Sequence, residues 1–280
     1  MTPRRREHAA RQFSIATLTA VSGSGRLQGE VALVTGSTAG IGRAIARRFG
    51  MEGARVVVSG RDPGRGAAAV ADIEGLGGEA AFIAADLSGE DAGPKLVDAV
   101  RERFGTLTVL VNNAVGSAAG KDGPVEQLDI ESWDSIFRVN VAAPMQLAAA
   151  AIPLMRDAGH GSIINISSRA AHRGSKGRAA YTASKGALNA LTLSIAVDYA
   201  ADGIRCNTIS PGYVINSVRD ADITPERRAY YQGMHLTRLG EADDIAYAAV
   251  YLASHESDFL TGSLLPLDGG GSAARGLTLG

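Results

Sequence analysis

The chain has 280 residues, a formal net charge of −1 and 45 % hydrophobic residues. That balance describes an ordinary globular protein with material for one substantial core. It excludes the strong basic field that would recruit nucleic acid, and no uninterrupted apolar stretch is long enough to make a membrane span the expectation. Cys206 is the single cysteine; an internal disulfide and a cysteine-rich metal site are ruled out, and the reducing cytoplasm is the expected setting.

Residues 1–27 differ from the rest. Arg4, Arg5, Arg6, Arg11 and Arg26 face one acid, Glu7, and Ser22 to Gly25 alternates serine and glycine as linkers do. A basic, flexible extension is expected there, followed by one domain over residues 28–280 with no internal repeat. Glu30 to Gly36 carries the apolar run of a buried parallel strand. Gly36-Ser-Thr-Ala-Gly40-Ile-Gly42 comes next, then helical sequence from Arg43 to Glu52. Strand, glycine-rich turn and helix form an arrangement that cradles phosphate. Glycines admit a pyrophosphate to the backbone, and the helix start supplies free N–H groups and a partial positive charge.

Ala54 to Ser59 reads as a second strand ending in Gly60-Arg61-Asp62. In a dinucleotide fold this tip meets the adenosine ribose. An acid there binds the 2′-hydroxyl, whereas an arginine favours a 2′-phosphate. Arg61, with Arg65 close behind, places NADP(H) ahead of NAD(H), while Asp62 keeps the ribose hydroxyl as an alternative. Ala67 to Leu76 is helical. Glu79 to Ala85 is a third strand, running into Asp86-Leu87, where the carboxylate either meets the adenine amino group or caps the helix starting near Asp91. Leu107 to Val111 is a fourth strand, closed by Asn112-Asn113-Ala114-Val115-Gly116.

Ile130 to Met155 is a long helical run with Asn140 in its middle; a buried amide there is either structural or part of a site. Gly161 to Ser167 is a fifth strand that delivers Ser168, and Ala180 to Ala200 is a helix carrying Tyr181 and Lys185 at i and i+4, on one face. A lysine in that position stabilises a tyrosinate. A sixth strand covers Gly203 to Ile209, a helix Pro225 to Gln232, an amphipathic helix Ala242 to Ala253, and a last strand Gly262 to Leu267. Strands alternating with helices predict an α/β fold: a doubly wound, Rossmann-type parallel β-sheet flanked by helices on both faces. Its ligand crevice should lie at the C-terminal strand ends.

Residues 29–272 resemble the short-chain dehydrogenase/reductase family in its single-domain form. The resemblance rests on Thr35-Gly36-x-x-x-Gly40-Ile-Gly42, Asp86-Leu87, Asn112-Asn113-Ala114, Asn140, Ser168 thirteen residues before Tyr181, Tyr181-x-x-x-Lys185 and Pro211-Gly212, in that order. It implies Tyr181 as general acid in reduction and general base in oxidation, with Lys185 stabilising its phenolate and holding the nicotinamide ribose. Ser168 would orient the carbonyl or alcohol, and Asn140 would hold a water linking Lys185 to solvent. The implied cofactor contacts are Gly36, Ser37, Thr38, Gly40, Ile41, Gly42, Arg61, Asp86, Leu87, Asn112, Ala114, Tyr181, Lys185, Pro211, Gly212, Val214 and Asn216, with no metal ion. The family's tyrosine helix packs against partner subunits, so a homotetramer, or a dimer, is expected.

Val115 stands where the family has glycine, implying a one-residue bulge or a narrower site, and Asn216 or Ser217 replaces a threonine that binds the carboxamide. The leading expectation is an NADP(H)-dependent oxidoreductase acting on a small carbonyl or secondary alcohol, similar overall to 3-oxoacyl-thioester reductases, with residues 213–240 as the substrate lid. The alternatives are a cofactor-binding sensor or scaffold, an NAD-dependent sugar or steroid alcohol dehydrogenase of the same family, and an epimerase or dehydratase. Intact Ser168, Tyr181 and Lys185 oppose the scaffold; length and glycine spacing oppose the last.

Overall fold

The computed structural model of the protein describes residues 25–116, 122–216 and 219–274. Seven strands form one sheet: β1 (Val31–Val34), β2 (Arg55–Gly60), β3 (Glu79–Ala84), β4 (Val109–Asn112), β5 (Gly161–Ile166), β6 (Ile204–Pro211) and β7 (Leu264–Leu267). Their spatial order is β3-β2-β1-β4-β5-β6-β7 and every pairing is parallel. All seven coincide with strands read from the sequence, because strands buried on both faces write themselves as short continuous apolar runs.

Alternation assigns the faces. Ala32, Val34, Val56, Val58, Val109 and Val111 point into a core closed by α1 (Gly40–Met51), α2 (Pro63–Glu74) and α8 (Ala242–Ala253). Val31, Leu33, Val57, Leu110 and Ile163 point the other way, against α3 (Ala92–Phe104), α5 (Ala143–Ala158) and α6 (Ala179–Tyr199). A fully buried Val, Leu or Ile contributes about 1.5–3 kcal/mol. The exposed ion pairs, such as Lys95–Asp91 on α3, contribute about 0–1 kcal/mol each. The two apolar layers therefore set the stability.

The helical run expected over Ile130–Met155 is divided into α4 (Ile130–Phe137), a π turn (Arg138–Ala142) and α5. The widened turn surrounds Asn140, the residue whose amide has to leave the helix. By length and apolar composition Ile130–Ala158 also meets the minimum for a membrane span, contrary to the sequence expectation. Here its apolar face is occupied, since Leu147, Ala151, Ile152 and Met155 pack in the second core layer. The expected start of the domain at residue 28 also needs correcting. Leu27 is fully buried, its N–H donates to Glu52 O at 2.9 Å, and Arg26 pairs with Glu256, so residues 25–27 belong to the fold. The remainder of the expected extension lies outside the described residues.

A polar line crosses the sheet centre. Asn112 Nδ2 donates to Asn165 Oδ1 (2.8 Å), Asn165 Nδ2 donates to Thr192 Oγ1 (2.8 Å), and Thr192 Oγ1 meets Thr208 Oγ1 at 2.8 Å. It ties β4, β5, α6 and β6 together just below the crevice, where an unpaired polar group would cost about 1–3 kcal/mol.

Candidate active site

The strand order reverses between β1 and β4, and that is where a doubly wound sheet opens its crevice. The loop after β1 is built from glycines for steric reasons. Gly36 and Gly40 have φ of +62° and +55°. A Cβ on Gly36 would lie 2.9 Å from Ala114 Cα, one on Gly40 2.8 Å from Asn216 Nδ2, and one on Gly42 2.5 Å from Gly36 O. Ser37 is fully buried; its N–H donates to Ser59 O (2.9 Å), its hydroxyl donates to Val34 O (2.6 Å) and accepts from Ser59 N (3.0 Å). Its side chain thus fastens the loop to β2 instead of facing the crevice. α1 begins at Gly40 with no side-chain cap on its N-terminal N–H groups and no acid in its first turn. The cradle and the uncapped helix start fit the diphosphate of a dinucleotide.

Asn113, which the sequence reading left out of the site, anchors this loop. Its Nδ2 donates to Thr35 O (2.9 Å) and Gly36 O (3.1 Å), and the N–H groups of Asn113 and Ala114 donate to Thr35 Oγ1 (3.0 and 3.1 Å). Asn112, expected beside the cofactor, is only 3 % exposed and gives its amide to the sheet line described above. Val115 is 54 % exposed, while Gly116 N donates to Asn140 Oδ1 at 2.9 Å. The extra residue is turned outward and the chain is regathered at Gly116.

At the tip of β2, Asp62 is committed to its own helix. Its carboxylate caps α2 through Arg65 N (3.0 Å) and pairs with Arg65 Nε (2.9 Å), and these contacts hold it below the usual carboxylate range. Arg61 beside it is exposed. Asp86 at the end of β3 accepts from Ser88 N (3.0 Å) and Ser88 Oγ (2.8 Å). Leu87, also on the expected contact set, is buried in the second core layer, and α3 starts without a side-chain cap. Asp86 is therefore not a helix cap.

Ser168 follows β5. Its Oγ accepts the Ala170 N–H at 3.1 Å, which leaves the hydroxyl proton available to a substrate oxygen. Tyr181 lies in the first turn of α6 with the Arg178 guanidinium 4.4 Å from its ring centroid and Lys185 Nζ 5.8 Å from it. Lys185 is 3 % exposed and donates to Ile166 O at 2.8 Å; burial pushes its ammonium down to about 8. Asn140 Nδ2 donates to Ser184 Oγ (3.0 Å), and Ser184 Oγ donates to Tyr181 O (2.8 Å). Asn140 Oδ1 and one Nδ2 N–H are thus engaged, and its side chain links the β4 loop to the tyrosine helix. Asp122 was not foreseen at all. Its carboxylate accepts the Gly123, Ala180 and Tyr181 N–H groups (2.9, 3.1 and 2.9 Å), capping α6 from a distant loop. A cap so far away in sequence leaves no local signature.

Beyond β6, Gly212 donates to Leu267 O (2.9 Å), and Val214 bridges to Gly240. Asn216 overhangs Gly40; its N–H donates to Asp220 Oδ2 (2.9 Å) and its Oδ1 accepts from Arg219 N (3.0 Å). Ser217 lies outside the described residues. Tyr213 donates its hydroxyl to Asp220 Oδ1 (2.7 Å), stacks on Tyr231 at 3.7 Å and sits under Arg219. Burial and the Asp220 hydrogen bond push the Tyr213 phenol up to about 12. His235, 6 % exposed, accepts from Tyr213 N (3.0 Å) and meets Tyr231 O at 2.8 Å, pinning α7 (Pro225–Gln232) to this wall.

The family model described as enoyl-(acyl carrier protein) reductase matches residues 36–272. The chain is 40 % identical over 252 residues to the NADP-dependent (R)-specific alcohol dehydrogenase of Lentilactobacillus kefiri, covering 89 % of this chain and 98 % of the relative. It is 38 % identical over 246 residues to the 7alpha-hydroxysteroid dehydrogenase of Clostridium sardiniense, covering 88 % and 94 %. Its fold is similar to that of a 3-oxoacyl (acyl-carrier-protein) reductase from Agrobacterium tumefaciens C58 with NADP bound (TM-score 0.82, 31 % identity, 92 % and 99 % covered).

Two outcomes follow from the geometry around Tyr181. Asp122→Ala removes the acceptor of three N–H groups; it should cost about 1–2 kcal/mol in urea unfolding, at the upper end of cap replacements, and lower turnover by loosening Tyr181. Equal stability and turnover would show the cap to be idle. For Lys185, folding lowers the ammonium from 10.5 to about 8, so between those values the unfolded chain holds a proton that the folded protein has released. Stability must then rise with pH across that window. Measured against Lys185→Met, the wild-type unfolding free energy should gain up to about 3 kcal/mol between pH 7 and pH 10.5; a constant difference would refute the burial effect.

Proposed function

This chain belongs to the short-chain dehydrogenase/reductase family, and we propose that it is an NADP(H)-dependent oxidoreductase of carbonyls and secondary alcohols in which Tyr181 moves the proton. The observation that carries this reading is the placing of Ser168, Tyr181 and the buried Lys185 on the strand-end rim that also bears the Gly36–Gly42 cradle. A bound nicotinamide dinucleotide would supply or accept the hydride.

The chain's own residues do the rest. Tyr181 gives its hydroxyl proton to the carbonyl oxygen in reduction and takes it from the alcohol in oxidation. Ser168 donates its free hydroxyl proton to the same oxygen and so fixes the face that is attacked. Lys185 faces the charge left on Tyr181 once the proton has gone. Asn140, through Ser184, and Asp122, through the α6 N-terminus, are positioning residues. Gly36, Thr38, Gly40, Ile41 and Gly42 would hold the diphosphate of a bound dinucleotide, Asp86 and Ala114 its adenosine and nicotinamide ends, and Pro211, Gly212, Val214 and Asn216 its carboxamide. Arg61 supports NADP over NAD, because its neighbour Asp62 is already held by α2 and Arg65. Exposed Ile130, Met145, Leu193 and Val197 lie on α4, α5 and α6, and this apolar outer surface supports a homo-oligomer assembled through the tyrosine helix. The buried lone thiol, Cys206, accords with a reducing cytoplasm.

Tyr181→Phe should lower kcat at least about a hundredfold, the usual span of a lost general acid, while the NADPH dissociation constant stays nearly constant; ordinary turnover in that variant would sink the mechanism. Arg61→Ala should weaken NADPH about tenfold or more relative to NADH, as expected for one charge-assisted contact to phosphate. Titration of both nucleotides by fluorescence decides this, and a wild-type preference for NADH would overturn the assignment.

A further inference from the structure

Between the two residues expected to hold the reacting oxygen, Ser168 and Tyr181, the chain carries Arg169, His172, Arg173, Lys176 and Arg178 and no acid. All of them but His172 line a cleft of about 550 Å³ beside Ser168, within the size range of small-molecule pockets. Arg173, Lys176 and Arg178 form one wall, and Tyr213 and Tyr231 form the other. Arg178 also lies over the Tyr181 ring, so the cationic wall reaches the proton donor itself.

Arg173, Lys176 and Arg178 form no salt bridge among the described residues, while Arg169 feels the nearby Asp268 carboxylate. Arg173 donates to the carbonyl oxygens of Ser272 and Ala274, both at 3.0 Å, and Arg169 to Met234 O at 3.0 Å and Met234 Sδ at 3.1 Å. Carbonyls and a thioether orient a guanidinium without cancelling its charge. Of the acids near the cleft, Asp220 is committed to Arg219 and Tyr213, Asp122 to the α6 N–H groups and Asp268 to the Gly270 and Ser272 N–H groups, while Asp222 lines the adjoining cavity that Arg178 also borders. Several like charges held in one concave wall without counter-ions focus a positive potential into the cleft and favour an anion there.

Resting on the oxidoreductase reading above, we propose that this cleft binds an oxyanion of the substrate, a carboxylate or a phosphate, through Arg173, Lys176 and Arg178, so that the natural substrate is an acidic hydroxy or keto compound. The reacting carbon sits at Ser168 and Tyr181 and the anionic group lies against the loop between them. Arginine supplies a planar fork for two oxygens, and Lys176 adds a mobile point charge. The tyrosine wall accommodates the uncharged carbons between the two ends.

The test uses the full chain with NADPH and matched pairs: 5-oxohexanoate with its methyl ester, and fructose 6-phosphate with fructose. The acidic member of at least one pair should have the higher kcat/KM by about tenfold or more, the size of one charge-assisted contact. The difference should lie mainly in KM and shrink as salt is raised, because the cations are exposed. Which pair responds separates carboxylate from phosphate. Lys176→Glu should collapse the acid-to-neutral ratio, whereas Lys95→Glu, the same charge change on α3, should leave it unchanged; Lys176→Gln serves if the reversal impairs folding. Equal turnover of both members, or a ratio indifferent to Lys176 and to salt, would overturn the proposal while leaving hydride transfer intact. Turnover of no compound would count against the oxidoreductase reading instead. Equilibrium binding of the same acids and neutral partners to the NADPH-loaded protein then decides the anion site independently.

Discussion

One buried cation holds the centre of this molecule. The Lys185 ammonium, almost sealed from water, donates to the carbonyl of Ile166 at the last residue of β5. An ammonium without a partner at that depth would cost several kcal/mol, so the hydrogen bond fixes the approach of α6 to the sheet. Because Ser168 follows Ile166 by two residues and Tyr181 precedes Lys185 by one helical turn, that contact also sets their mutual placement. Ser167 Oγ, donating to Lys185 O at 3.3 Å, closes the same junction from the other side. A device that holds the fold together thus delivers the chemical groups to one rim.

Amides and short hydroxyls do the corresponding work around the cofactor crevice. Thr35 and Asn113 bind the β1 loop to the β4 loop, Ser37 binds it to β2, and Asn140 links the β4 loop to α6 through Ser184. Loops at strand ends cannot pair their backbone groups in the sheet, and buried polar groups must be satisfied. Side chains with both a donor and an acceptor solve that at several junctions at once. The π turn at Arg138–Ala142 belongs to this scheme, since it lets the Asn140 amide reach both neighbours.

Regular elements were legible in the sequence and long-range polar contacts were not. The seven strands declared themselves by apolar runs, and α8 by its amphipathic pattern. The Gly36–Gly42 turn and the Tyr181–Lys185 pair were readable because their chemistry is local, dictated by positive φ in one case and i, i+4 spacing in the other. Asp122 was invisible, because capping a helix from 58 residues away leaves no pattern near either partner. Ser37 and Asn112 look from the sequence like crevice residues, yet both turn inward, and only the packing of β1 against β2 and of β4 against β5 shows why. The helix over Ile130–Met155 was right in extent and incomplete in form, since apolar periodicity does not distinguish an α turn from a π turn.

The division between chemistry and selectivity follows from the same physics. Groups that move a proton have to be held to within fractions of an ångström, and the residues proposed for that task sit at a strand end and on a helix, braced by the hydrogen bonds of Lys185, Asn140 and Asp122. Groups that choose the substrate need only present charge and shape. The proposed selectivity lies in the Arg169–Arg178 loop and the Tyr213–Gly240 segment, whose aromatic and ionic contacts among Tyr213, Asp220, Arg219 and Tyr231 hold a wall without burying it in the core. Arg173 and Lys176 are exposed in that loop and touch neither Lys185 nor Ile166, whereas Arg178 lies over the Tyr181 ring and ties the cleft to the tyrosine. On the proposed reading, Arg173 and Lys176 are the cations of this loop that can vary with the substrate, while Arg178 is bound to the tyrosine it covers.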